Sequence, residues 1–168
     1  RRPREVTTTR VPEVTDEAFL QALAGTVNAP IMRGGSATLL NNGDAFVPAM
    51  LKAIAAARRT VNFFVYIWEP GEGSDLFANV LAERAAAGVQ VRVLLDGLGG
   101  IRAPEKAVSQ MQEAGVKVNR FRPARFGKLT RFYKRNHRRA IIIDGVVAFT
   151  GAAAVGDKWL GNGQEPEH

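Results

Sequence analysis

At 168 residues, with 46% hydrophobic and 23% charged side chains, the chain has the length and composition of a single folded soluble domain, which excludes disordered and fibrous classes. Its 23 Lys and Arg against 16 Asp and Glu leave a formal net charge of +7, which favours anionic partners: phosphate esters, nucleic acid or acidic lipid headgroups. The absence of cysteine excludes disulfides, thiol nucleophiles and Cys-ligated zinc, and two histidines offer little to a metal site, so neither a metal nor a cofactor is expected.

Residues 1–14 are polar, rich in Arg, Thr and Pro, and without periodicity, as in an extended arm or linker. No hydrophobic stretch follows the opening Arg-Arg-Pro-Arg, so a signal peptide is expected either to be absent or to lie outside this sequence. Residues 15–32 are expected to form a short helix and a connection: Thr15 or Asp16 can cap a helix through Leu23, and Gly25 stops it. The remaining segment, 33–168, is expected to be the main domain.

Within it, residues 37–40 read as a strand and Asn42-Gly43-Asp44 as a turn and cap. A helix is then expected over 45–59, with Phe46, Met50, Ile54 and Ala57 on one face and Pro48 tolerated in the first turn. Residues 61–68 are β-branched and aromatic with little polar alternation, as in a central strand covered on both faces. This stretch is the longest strongly apolar one and falls far short of the ~20 residues that span a bilayer. A loop with Pro70, Gly71 and Gly73 leads to a helix over 74–87, a strand over 89–95, a helix over 104–114 closed by Gly115, and a strand over 116–121. This βαβαβ order implies a layered α/β sheet with right-handed crossovers and functional loops at the carboxyl ends of its strands.

Ten of the 23 basic residues fall between Lys117 and Arg139, with no acidic residue between Glu113 and Asp144. The interleaved Phe121, Phe126, Phe132 and Tyr133 suit either a core or stacking on nucleic-acid bases. Strands over 139–143 and 146–150 meet at Asp144-Gly145, a pair suited to a hairpin turn. Gly97-Leu98-Gly99-Gly100 lacks the spacing and downstream acid of a dinucleotide fingerprint and reads as a strand-to-helix turn.

On a strand, residues two apart share a face, so His137 and Arg139 are expected side by side. An imidazole can attack phosphorus to give a phosphohistidine, while a neighbouring guanidinium neutralises the oxygens that gain charge in the transition state. Asp144 stands at the hairpin bend, where a carboxylate either serves the site or braces the turn by accepting from its amides. Asp96, at a strand's carboxyl end, either lines the site or caps the next segment.

Asn136-His137-Arg138-Arg139, followed by Ala-Ile-Ile-Ile-Asp144-Gly145, resembles the His-x-Lys-x4-Asp motif of the phospholipase D superfamily, with Arg139 in the place of lysine. Gly43-Asp44-Ala45-Phe46, Val65-Tyr66-Ile67, Val93-Leu94-Leu95-Asp96-Gly97 and Asp157-Lys158-Trp159-Leu160-Gly161 are similar, in order and spacing, to bacterial cardiolipin synthases and their relatives. The resemblance runs from Leu39 to the end. It implies an α/β fold whose mixed sheet is flanked by helices on both faces, here the incomplete amino-terminal half of a two-motif enzyme. The implied activity is a phosphatidyl transferase or phospholipase acting on anionic phospholipid through a phosphohistidine, with His137, Arg139 and Asp144 as the motif's catalytic residues. Phosphate binding falls to Arg139 with Gly151, Ala152, Ala153 and Ala154, which occupy the place of the family's Gly-Gly-x-Asn; Ala154 cannot hydrogen-bond through its side chain. Tyr66 and Asp96 are further residues expected to line the site.

The implied partners are an anionic phospholipid or other phosphodiester, a membrane surface bound peripherally at the cytoplasmic face, and a second motif-bearing half without which this chain is expected to be inactive. The alternatives are a superfamily nuclease acting on nucleic acid and a non-catalytic phosphate- or lipid-binding module. Arg139 keeps the positive charge of lysine, but its larger planar fork makes it no simple equivalent.

Overall fold

The computed structural model describes residues 12–123 and 135–164. The chain divides into two compact units, 1–39 and 40–168. In the first, α1 spans Glu17–Val27 and carries no buried residue. It runs through Gly25, which was expected to stop it, and ends at Asn28, whose left-handed backbone (φ 51°) turns its amide onto the carbonyl of Ala24. Residues 37–40 form no strand.

The second unit runs α2 (Asn42–Ala55), β1 (Thr60–Val65), α3 (Glu72–Ala86), β2 (Gln90–Asp96), α4 (Glu105–Glu113), β3 (Lys117–Phe121), β4 (Ala140–Ile143) and β5 (Val147–Thr150), then a single 3-10 turn, Asp157–Trp159. The strands form one five-stranded mixed sheet in the order β3-β2-β1-β4-β5. The first three are parallel, and β4 and β5 continue antiparallel. α2 starts earlier than expected because Gly43 is packed against the backbone of Trp159 and Leu160, where a side chain would collide, and the amide of Asp44 donates to the carbonyl of Gly161 at 2.9 Å. Pro48 therefore falls inside the helix, past its first turn.

The core lies on one face of the sheet. Val61, Phe63 and Val65 of β1 stand in register with Val91, Val93 and Leu95 of β2, and Val61 and Phe63 with Ile143 and Ile141 of β4. All are buried, in one cluster with Ile54, Phe77, Leu81 and Met111 of the helices. Successive β1-to-β2 and β2-to-β3 crossovers of the same hand place α3 and α4 on the same side, and α2 packs beside α3. The opposite face carries Asn62, Phe64 and Leu94, half-buried, and Arg92 and Ile142, exposed. Among the described residues of this unit, α2 to α4 pack on the core face. β1 alternates between half-buried and buried residues and is not buried throughout.

β1 also ends at Val65, three residues before its apolar run does. Trp68 leaves the sheet to bridge Val155, and its buried indole N–H donates to the hydroxyl of Ser74 at 2.8 Å. Asp157 closes the same corner by accepting from the amide of Gly73, in the first turn of α3, at 2.9 Å.

Candidate active site

The parallel strands end at Val65, Asp96 and Phe121, and this carboxyl edge is also where β4 begins and β5 ends, since Ala140 pairs with both Phe64 and Thr150. His137 and Arg139 therefore arrive at the edge where an α/β sheet usually presents its functional groups. They lie on the segment entering β4, which begins at Ala140, one residue after the Arg139 start that was expected. A strand face does not align them; an aromatic ring does. The imidazole of His137 lies 4.2 Å from the Tyr66 ring, centroid to centroid and tilted by 42°, and the Arg139 guanidinium carbon sits 5.7 Å from the same ring. Tyr66, the first residue past β1, is the platform both groups share.

The loop after β5 comes to the same place. Nη1 of Arg139 donates to the carbonyl of Ala152, and the hydroxyl of Thr150 donates to the carbonyl of Arg139 at 3.0 Å. The buried Nε of Arg139 has no hydrogen-bond partner among the described residues, so that donor of the fork is unused. Gly151 and Ala152 are exposed and Ala153 is half-buried, whereas Ala154 turns into the core. His137 is exposed. An accessible imidazole thus neighbours a guanidinium held at both its head and its backbone, beside a loop small enough for backbone groups to approach an anion.

Asp96 is fully buried. One carboxylate oxygen accepts from the amides of Leu98 and Gly99 at 2.9 and 3.1 Å, so it caps the turn after β2. The other accepts from the amide of Asn136, the residue before His137, at 2.9 Å.

Asp144 is not brought to this edge. It occupies the far end of β4, where its carboxylate accepts from the amides of Arg58, Arg59 and Thr60 at 2.9, 2.8 and 2.8 Å. These bonds, that of Thr60 first and then those of Arg58 and Arg59, hold its pKa below the usual carboxylate value. The aspartate braces the connection between α2 and β1, and not the amides of its own hairpin. It stands in the left-handed region itself, at φ 53°. Its assignment to the catalytic group is corrected on this geometry.

In the basic window, Arg120 donates to the carbonyl of Gly100 at 2.7 Å and Arg122 lies over Phe121. The expectation for Phe126, Phe132 and Tyr133 lies outside the described residues. Sequence reasoning gave no role to Asn136, whose amide Asp96 holds, to Thr150, whose hydroxyl holds the Arg139 carbonyl, or to Glu69, which binds Lys158 at 2.8 Å and Arg102 at 3.1 Å. Among the described residues no group of three or more His, Asp or Glu is arranged to hold a metal ion, and no helix is long and apolar enough to cross a membrane.

A mixed sheet of this topology, with its candidate groups at the junction of β1, β2 and the β4-β5 hairpin, defines a phospholipase D-like α/β domain. The family described as cardiolipin synthase, PLD-like domain, matches residues 50–164, and the chain belongs to it. It is 38% identical over 147 residues to cardiolipin synthase A of Pseudomonas fluorescens (strain SBW25), covering 86% of this chain and 30% of that protein. It is 35% identical over 128 residues to cardiolipin synthase 1 of Bacillus cereus, covering 76% and 25%. The chain thus spans under a third of the length of these curated relatives. Among solved structures, the phospholipase D family member Nuc from Salmonella typhimurium superposes with a TM-score of 0.56 at 19% identity, over 73% of this chain and 71% of that one. NucT from Helicobacter pylori superposes at 0.53 and 19%, over 67% and 69%. These two likenesses bear on the fold alone.

Proposed function

We propose that this chain supplies His137 and Arg139 to a phosphatidyl transferase or phospholipase that acts on anionic phospholipid. The observation that carries the reading is the convergence of His137, Arg139 and the 151–154 loop on Tyr66 and one another, in a chain of the cardiolipin synthase family. An imidazole nitrogen of His137 attacks phosphorus as the bond to the leaving alkoxide breaks, giving a phosphohistidine. Arg139 neutralises the oxygens that gain charge. Attack by an alcohol then releases a new phosphodiester, whereas attack by water releases a phosphomonoester, and either frees the imidazole.

The leaving alkoxide needs a proton, and general acid catalysis typically contributes about 10² to 10⁴ in rate. His137 is the only imidazole among the described residues. We assign the acid to a second motif, carried by the same polypeptide or by another chain. A net charge of +7 suits peripheral binding at an anionic, cytoplasmic membrane face, with an affinity that falls as salt rises.

The test is turnover of phosphatidylglycerol vesicles by the chain in its complete natural polypeptide. His137→Ala abolishes turnover while leaving thermal unfolding unchanged. Turnover that survives the substitution refutes the nucleophile assignment, and cleavage of single-stranded DNA without any action on lipid favours the nuclease reading instead.

A further inference from the structure

Among the described residues only Ser74 and Asp96 are buried polar side chains of the second unit. Ser74 is occupied by the indole of Trp68. Asp96 is a fully buried carboxylate, an expensive group to remove from water unless hydrogen bonds replace the lost hydration. A turn cap needs only one of its oxygens, and the Leu98 and Gly99 amides share that one. The second oxygen reaches a residue forty positions further along the chain, the amide of Asn136.

We infer that Asp96 is a positioning residue for His137, acting through the backbone of Asn136. The segment entering β4 has no sheet partner until Ala140 pairs with Phe64 and Thr150. Ahead of that point Asp96 holds the Asn136 amide and the Thr150 hydroxyl holds the Arg139 carbonyl. His137 lies between them, exposed to solvent yet with its ring packed at a tilt against Tyr66. The turn capped by Asp96 also packs Gly99 against Tyr66, so one carboxylate fixes both the approach of the imidazole and the ring beneath it. The consequence for catalysis rests on reading His137 as the nucleophile; the tether itself does not.

The carboxylate is the feature to test, because Asp96→Asn is selective. The amide oxygen still accepts from Leu98 and Gly99, but the amide nitrogen then faces the N–H of Asn136, donor against donor, and that bond is lost. The sequence holds two histidines, so in the 168-residue chain His137→Ala assigns the His137 ring signals by NMR. Packed against the Tyr66 ring, they are expected to be shifted upfield. Asp96→Asn is expected to return them to the position of an unstructured histidine while a cooperative thermal transition persists. In the unsubstituted chain the Asn136 amide is expected to exchange with solvent at least about tenfold more slowly than that of His137, a measurement that needs no variant to fold.

In the complete polypeptide, Asp96→Asn should lower kcat by about 100-fold with KM within about twofold, as for a displacement near 1 Å at a reacting group. A folded Asp96→Asn with the His137 shift intact, or an Asn136 amide that exchanges as fast as its neighbour, overturns the inference. An active His137→Ala overturns the proposed chemistry and leaves the tether standing.

Discussion

Gly99→Ala is expected to damage the site from a residue that touches neither His137 nor Arg139. A Cβ at Gly99 would overlap the backbone carbonyl oxygen of Tyr66 and come within 3.2 Å of its ring. The obstacle is backbone and cannot swing aside as a flexible side chain does. Gly99 does not occupy the left-handed region, so the penalty is steric and not conformational. Relief requires the turn and Tyr66 to separate by about 1 Å, an overpacking that typically costs about 1–3 kcal/mol. At roughly 2–4 °C per kcal/mol for a chain of this size, Tm should fall by about 2–12 °C in scanning calorimetry. Because His137 rests on the displaced ring, turnover should fall by about 10²-fold as well. Leu98→Ala, in the same turn but with its side chain exposed, should stay within about 0.5 kcal/mol of the parent. A Gly99→Ala variant with unchanged Tm and unchanged His137 ring shifts would refute the claim that this turn supports Tyr66.

Ser74→Ala strands the buried Trp68 N–H and should cost about 1–3 kcal/mol in urea unfolding; combining it with Trp68→Phe should cost less than the two single changes added together. Asp144 has a lowered folded pKa, so its stabilisation is present in full above the unfolded carboxylate value of about 3.9 and is lost as pH falls through the lower folded value. The gap in urea midpoint between the parent and Asp144→Asn should accordingly shrink on acidification from pH 4 towards pH 2, and a constant gap would contradict this. Arg139→Ala should weaken binding of inorganic phosphate about 10- to 100-fold in calorimetry, the worth of a hydrogen bond to a charged group, and Arg139→Lys should recover part of the loss.

The parallel part of the sheet was legible because β1, β2 and their crossover helices declare themselves locally, through β-branched runs and through glycines that end helices. The alternation of β1 was hard to read because Phe64 and Tyr66 look like core residues and Asn62 alone breaks the run, although all three alternate with Val61, Phe63 and Val65. Residues 37–40 are apolar enough for a strand but find no partner in the sheet. The pairing of His137 with Arg139 was anticipated from their spacing, yet the spacing holds through Tyr66 and the Ala152 carbonyl and not through a strand. What carried no local signal was the long-range polar wiring. Asp96 reaches Asn136 across α4 and β3, and Asp144 reaches back to Arg58, Arg59 and Thr60. In both cases one carboxylate at the end of a strand holds backbone amides that are distant in sequence, a pairing that periodicity cannot reveal. The flanking segments that carried the family resemblance include the joints of the fold: Gly43 and Asp44 seat against residues 159–161, and Asp157 caps α3.

The most direct test of the central claim is to trap the covalent intermediate. The complete polypeptide is mixed with phosphatidylglycerol vesicles, quenched during turnover and digested, and the peptide containing His137 is weighed by mass spectrometry. A phosphatidyl adduct on His137 is expected to appear within one turnover, to decay as product forms and to be missing from His137→Ala. Steady turnover with the His137 peptide unmodified throughout, or with the adduct on another residue, would contradict it.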